Sequence, residues 1–316
     1  MIRALIAAAG IAFALSAPAQ DLRILGPAEP EAGFSVTARA VAKALIESGA
    51  AKKVDTWSAP GKGGLVGLTK FVKEAKGDPT QLMITGYTTL NSILMNKSPV
   101  TLADVTPIAR LTADVSFAFL VPGDSPIKDA RELAAMLKAD PSRITWAAGS
   151  IGGAGQTAVV LFALAVGVDP SKLNTTVALA GSAIDAVAEG KVMVALGASQ
   201  AAYLPLVKAG RLRILGTTAT QRHPDIPAPT MREQGIDVVF ENWRGIVAAP
   251  GITSEQRQSL ATAIERMARS PAWKRILREN NWRDAYLGGA EFEAFIEAER
   301  VKAERAVRAT ASGTSR

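Results

Sequence analysis

Short apolar runs alternate with amphipathic stretches along most of this chain, and they do so in two successive series. Residues 22–26 read as a strand, residues 27–35 as a loop, and Ala38, Val41 and Leu45 as the buried stripe of a helix. A second strand at 54–58 leads through the glycine-rich stretch 60–64 into a helix reaching Lys76, and a third strand at 82–85 stops at Gly86. Strand, loop and helix at this interval predict a parallel, doubly wound sheet. Strands at 106–111 and 116–121 precede Pro122, after which the pattern restarts with a helix through Leu133, Met136 and Leu137. A strand at 144–147, a glycine-rich loop and an apolar helix at 157–166 follow, then strands at 176–179, 192–196 and 212–216. Because 316 residues exceed what one compact core usually holds, the two series predict two similar α/β lobes.

The two ends are read from punctuation. Arg3, an apolar run to Leu15 and the small-x-small pattern Ala17, Pro18, Ala19 predict a leader at 1–19 cut after Ala19, so the mature chain is expected to be exported. The apolar run is too short for a membrane span. Near the other end, Thr253 and Gln256 form a capping box ahead of Leu260, Ile264 and Met267, and Ser270 with Pro271 starts another helix containing Trp273, Ile276 and Leu277. A last helix carries Phe292, Phe295 and Ile296.

Composition removes several chemistries. Apolar residues at 48% exclude a disordered chain, and the absence of cysteine with a single histidine excludes thiol nucleophiles, thiolate zinc sites and histidine pairs. No cofactor and no metal are expected. The net charge of +7 comes from basic residues interleaved with acids along helices, and aromatics make up 5%, so nucleic acid is not expected as a partner. Gly61, Gly63, Gly64 and Gly67 fail the dinucleotide pattern because Val66 fills the third glycine position, and Gly61-Lys62 fails the phosphate-loop pattern because Gly63 follows. A tight turn is the expectation there. Gly149, Ser150, Ile151 and Gly152 fall one residue short of a nucleophile elbow, and an exported serine hydrolase using Ser150 and His223 is the competing enzymatic reading. His223 lies among Arg222, Pro224 and Asp225, the composition of a solvated turn.

The remaining candidates are the loops 27–35 and 149–156, which join strand to helix in each lobe. Both can aim backbone N–H groups from a helix start at an anion, at the carboxyl ends of strands where open α/β sheets bind ligands. A cleft between lobes would then clamp a small carboxylate from both sides.

Three stretches carry a family resemblance: 96–114 (NKSPVTLADVTPIARLTAD), 241–256 (ENWRGIVAAPGITSEQ) and 270–287 (SPAWKRILRENNWRDAYL). With the Pro60, Gly61, Gly63, Gly64 and Gly67 turn, they resemble the substrate-binding receptors of tripartite tricarboxylate transporters over nearly the whole mature chain. The resemblance implies a type II periplasmic binding protein of two lobes, closing like a Venus flytrap on a small organic acid and handing it to a permease of large and small subunits. It implies two interlobe crossings with hinge strands at 117–121 and 245–249, and C-terminal helices that return to the first lobe. It also implies carboxylate capture by the two strand-to-helix loops, partly through water. This chain departs from the family pattern in both loops. The first has Pro30, Glu31, Ala32, Gly33, Phe34, Ser35 where the family reads P-G-G-G, a variable residue and Asp, and the second has Gly153, Ala154, Gly155, Gln156 where Gly-Thr and then Asp or Ser is common.

The resulting expectation is lobe 1 at 20–121 and 243–316 with lobe 2 at 122–242, a periplasmic monomer, and no catalysis. Expected ligand contacts are Ala28, Gly33, Phe34 and Ser35, the last also capping its helix, with Tyr87 after the third strand. Lobe two is expected to offer Ser150, Gly152, Gly153, Gly155, Gln156, Ser182 and Ser199. Phe34 and Tyr87 pack either on an apolar part of the ligand or at the rim; Trp243 and Arg244 read either as residues of the hinge or as a core tryptophan with a salt-bridging surface arginine. A receptor of the same fold that serves a sensor rather than a transporter has the same sequence signature.

Overall fold

The computed structural model describes residues 21–113, 117–148, 153–176, 183–198, 200–280 and 282–311. The first series gives β1 (Asp21–Gly26), α1 (Gly33–Glu47), β2 (Lys53–Ser58), α2 (Leu65–Glu74), β3 (Gln81–Gly86), α3 (Tyr87–Met95) and β4 (Thr106–Ala113). The second gives β5 (Ala118–Pro122), α4 (Ala130–Ala139), β6 (Thr145–Ala147), α5 (Ala154–Ala165), β7 (Asn174–Thr176), α6 (Ala183–Ala188), β8 (Val194–Gly197), α7 (Gln200–Lys208) and β9 (Leu212–Thr217). The chain closes with β10 (Trp243–Ala248), α8 (Ser254–Arg269), α9 (Pro271–Glu279), β11 (Arg283–Gly288) and α10 (Gly289–Ala311).

Two sheets result, ordered β11-β4-β10-β3-β1-β2 and β7-β6-β8-β5-β9. They are mixed rather than wholly parallel, which corrects the sequence expectation. β1, β2 and β3 run parallel, whereas β10 runs against β3 and β4 with Ile246 opposite Ile84 and Ala109. In the second sheet β6 runs parallel to β7 and β8, whereas β5 runs against β8 and β9. The reason is the crossover itself: a strand that has just arrived from the other lobe starts at the interlobe end of its new sheet and must run away from it. Sheet membership changes ahead of Ala118 and ahead of Trp243, so β5, read from sequence as the end of lobe 1, is an inner strand of the second sheet.

The crossing segments are pinned to each other. The Thr218 hydroxyl accepts from the Phe117 N–H at 3.0 Å and donates to the Phe240 carbonyl at 2.5 Å, and the Phe117 and Phe240 rings stack at 5.8 Å.

Helices cover both faces of the first sheet, which is why β3 is buried along its whole length. Val41 and Leu45 of α1, Leu260, Ile264 and Met267 of α8 and Trp273 of α9 share one core against Ile24, Leu82 and Ile84. The second lobe centres on Phe119, Trp146 and Phe162, whose rings lie 5.1 to 6.4 Å apart. Trp243 is a core residue, edge-on to Phe292 and Phe295 of α10. The capping box at Thr253 and the Ser270–Pro271 helix start are present as read. α8 and α9 pack on the first lobe, but α10 lies against α3 and β4 of the first lobe and against α5 of the second. β11 is not predicted by periodicity, because a half-exposed edge strand starting with Arg283 and Asp284 has no apolar alternation.

Candidate functional site

β1 ends at Gly26, and the loop folds back at once, with the Ala28 N–H donating to the Gly26 carbonyl at 2.7 Å. α1 then begins at Gly33 behind Ala32, whose side chain cannot cap, so the first-turn N–H groups have no side-chain acceptor from the N-cap. Ser35 does not fill that role. Its hydroxyl is buried and turned back, 3.2 Å from the Gly26 carbonyl, 3.0 Å from the Ala28 carbonyl and 3.2 Å from the Ser58 hydroxyl. The helix starts three residues earlier than the cap reading required, which places Ser35 in its first turn as a brace between α1 and the ends of β1 and β2.

The other wall of the site is the turn after β2. Gly61, Gly63 and Gly64 all have positive φ, and a Cβ on Gly64 would lie 2.7 Å from the Thr89 hydroxyl while the backbone sits at φ +97°. Only glycine satisfies both conditions. Between this turn and the start of α1 is a cavity of about 330 Å³ whose walls include Ala28, Gly33, Phe34, Pro60, Gly64 and Arg244. Ala28, Gly33 and Phe34 thus meet at one cavity, at the carboxyl ends of β1 and β2.

Arg244 reads from sequence only as a hinge or salt-bridging surface residue, and its place in the cavity wall comes from pairing distant in sequence. β10 is inserted beside β3 with Arg244 opposite Gly86. The guanidinium reaches the first turn of α1, where Nη1 donates to the Thr37 hydroxyl at 2.9 Å, and its carbon lies 5.4 Å from the centre of the Trp282 ring. The Thr37 hydroxyl in turn donates to the Gly33 carbonyl at 2.8 Å.

Tyr87 is fully buried and does not line the cavity. Its ring meets Phe240 edge-on at 4.6 Å, and its hydroxyl lies 3.1 Å from that of Thr157 on α5 in the other lobe. Burial pushes the phenol well above its ordinary pKa, so it remains a neutral hydrogen-bonding group.

In the second lobe, Gly153 is the N-cap of α5, and Gln156 is half-buried in its first turn. Gly155 has a packing role: a Cβ there would lie 2.3 Å from the Ala148 carbonyl, so this glycine lets α5 approach the end of β6. Ser150, Gly152, Ser182 and Ser199 lie outside the described residues. The Tyr87–Thr157 contact joins the start of α3, at the end of β3, to the first turns of α5 behind Gly153.

His223 lies elsewhere, in the turn between β9 and β10, where its Nδ1 accepts from the Asp225 N–H at 3.2 Å. It lines a separate cleft of about 750 Å³ with Arg110, Arg278 and Trp282. A third cavity, about 600 Å³, lies between α3 and α10 under Leu90, Ile93 and Ile296. Neither includes the loop 27–35. Among the described residues no cluster of acids and histidine could hold a metal ion, and no helix is long and apolar enough to cross a membrane.

Comparison with known proteins gives a consistent picture. Residues 37–311 match the family described as tripartite tricarboxylate transporter family receptor. A protein of Cupriavidus necator, named UPF0065 protein in gbd 5'region, is 30% identical over 257 residues, covering 78% of this chain and 74% of that one. A TctC solute-binding protein from Polaromonas, solved without ligand, superposes with a TM-score of 0.79 at 22% identity over 92% of this chain and 99% of its own. MatC from Rhodopseudomonas palustris, solved with bound malate, gives 0.66 at 18% identity over 92% and 99%. The family and these folds are substrate-binding proteins, not enzymes.

Proposed function

Because the chain belongs to the tripartite tricarboxylate transporter receptor family, we propose that it is a periplasmic receptor that captures a small organic acid between its lobes and delivers it to a membrane permease of that transporter class. The reading has residues 1–19 as a leader removed after Ala19, and the mature protein as a monomer. The first lobe is built by the strands of the β1 sheet with the C-terminal helices, the second by β5 to β9, with the hinge at the two crossings on either side of Thr218.

The observation that carries this reading is the 330 Å³ cavity at the carboxyl ends of β1 and β2, bounded by an uncapped helix start, a glycine turn and a guanidinium. Its size suits a small molecule, and its polar groups suit an anion. Malate bound by the R. palustris neighbour is the same class of ligand. Capture works by population shift: contacts available only when the lobes are together draw open molecules into the closed form. No step makes or breaks a covalent bond.

A thermal-melt series on mature protein, unfolded and refolded to strip any carried ligand, tests the proposal against di- and tricarboxylates, aromatic acids, amino acids and neutral amides. A ligand at a hundred times its dissociation constant adds about 2.7 kcal/mol, which is several degrees for a chain of this size. Shifts with carboxylates alone support the reading. Shifts confined to neutral or cationic compounds contradict it.

A further inference from the structure

We propose that the cleft beside His223 is a second binding site, which takes a compact doubly charged oxyanion of the phosphate class, free or carried on a small organic group, against the guanidiniums of Arg110 and Arg278. The cleft is separate from the cavity at loop 27–35, and the inference stands whether or not that cavity holds an organic acid.

The cleft, of about 750 Å³, opens between the two sheets. One wall belongs to the first sheet and its helices, with Arg110 on β4, Arg283 on β11, Leu277 and Arg278 on α9, and Trp282 just after it. The other wall is the turn 219–225 that follows β9, and Thr217 ties this stretch back to the second sheet by pairing with Thr230. An occupant therefore touches residues that belong to both sheets.

Charge in the cleft is unbalanced towards the positive. Arg283 is paired with Glu241, which also accepts from the Thr220 hydroxyl at 3.3 Å, and Arg222 is paired with Glu233 at 2.8 Å. Those pairs cancel, and among the described residues neither Arg110 nor Arg278 is within salt-bridge distance of a carboxylate. Asp225 is the one lining carboxylate left to oppose them, and it lies exposed in the turn, 3.8 Å from His223 Nδ1. Arg110 is half-buried and held in place. Its Nε donates to the Ala285 carbonyl at 2.7 Å, and its carbon lies 4.4 Å from the centre of the Phe295 ring. With Nε engaged, its two amino groups are the donors left for an oxyanion. Burial foremost, and then the like charge of Arg283, hold this guanidinium's pKa below its ordinary value, and the carboxylates of Glu241 and Glu299 do not offset them. A cation kept half out of water beside another cation is stabilised by an anion that reaches it.

The donor set selects the class of anion. A phosphate group carries about −1.5 to −2 charges at neutral pH and three strong acceptor oxygens, so it can meet both guanidiniums at once. A lone carboxylate offers one charge and two oxygens. His223 adds a donor: its Nδ1 accepts from the Asp225 N–H at 3.2 Å, which leaves the proton of the neutral ring on Nε2. The cleft is larger than a phosphate group, and Pro224, Leu277 and Trp282 supply apolar wall for an organic portion.

The test titrates untagged, refolded protein with inorganic phosphate and, separately, with phenyl phosphate, at fixed neutral pH and with ionic strength held constant by sodium chloride. His223 is the only histidine in the chain, so its imidazole resonances report on the cleft unambiguously, and calorimetry gives the affinity. The expected result is a saturable shift of those resonances, with affinity about 10- to 100-fold weaker in Arg110→Gln and about 5- to 10-fold weaker in the exposed Arg278→Gln. Lys97→Gln, which removes an equal charge from the cavity between α3 and α10, should bind as wild type does. Tighter binding of phenyl phosphate assigns the site to an organic phosphate, and equal or tighter binding of inorganic phosphate assigns it to the free anion. No saturable shift with either compound, or affinities that neither arginine substitution lowers, overturns the inference. Should Arg110→Gln not fold, Arg278→Gln decides alone, and an unchanged affinity there overturns it. A failure to bind organic acids at loop 27–35 alters none of these outcomes, so the two readings fail separately.

Discussion

Replacing Tyr87 by Phe removes one oxygen from the contact between lobes and nothing else. The ring, with its edge-on packing against Phe240 at 4.6 Å, is retained. Thr157 keeps its own bond to the Gly153 carbonyl at 3.2 Å, so no buried donor is stranded. What is lost is the 3.1 Å hydroxyl pair that exists only while α3 and α5 face each other. A net hydrogen bond contributes about 0.5 to 1.5 kcal/mol, so the ratio of closed to open molecules should fall about 2- to 12-fold. On the proposed capture by population shift, in which the ligand binds the closed arrangement, its dissociation constant should rise by up to the same factor. Calorimetry on refolded protein measures that factor, and thermal unfolding shows whether either lobe has been weakened. The expected outcome is weaker binding with an almost unchanged melt. An unchanged dissociation constant with a lowered melting temperature would show that the pair braces a single rigid body, and the clamp reasoning would be refuted.

Other perturbations separate binding from stability. Gly153→Leu should abolish ligand binding with little effect on the melt, whereas Gly155→Val should lower the melting temperature sharply, because its Cβ meets the Ala148 carbonyl at 2.3 Å. Tyr203→Phe deletes a buried hydroxyl with no hydrogen-bond partner among the described residues and should be neutral or stabilising, read by urea unfolding, with no change in affinity. Asp129 caps α4 through the N–H groups of Arg131 and Glu132, and the Glu132 N–H foremost holds its carboxyl below the usual range. Asp129→Ala should therefore cost about 1 kcal/mol at neutral pH. Because the folded form favours the ionised carboxyl, that difference is fully present above about pH 4 and should fade as the pH falls below it.

Local signals were legible in the sequence where they depend on neighbours a few residues apart. The Thr253 capping box, the Ser270–Pro271 helix start and the glycine turn at 60–64 are all set by short-range chemistry. Strand direction is not, since the antiparallel β10 and β5 follow from crossing between lobes, and apolar periodicity is the same in either direction. Ser35 looked like a cap because serine suits that position, but Gly33 can already adopt helical backbone and the helix starts there. Tyr87 reads as a loop aromatic until the second lobe closes over it. Arg244 reaches the cavity wall only when β10 is inserted next to β3, a pairing that joins residues far apart in the chain.

The central claim is that one organic acid is held between the lobes with its carboxylate against the start of α1. A crystal structure of the refolded protein with the acid that gives the largest melt shift tests this most directly. The account predicts carboxylate density within hydrogen-bond reach of the Gly33–Phe34 amides, with the second lobe closed over the rest of the molecule. Density for the acid in the cavity between α3 and α10, or in the cleft beside His223, with the loop 27–35 unoccupied, would contradict it.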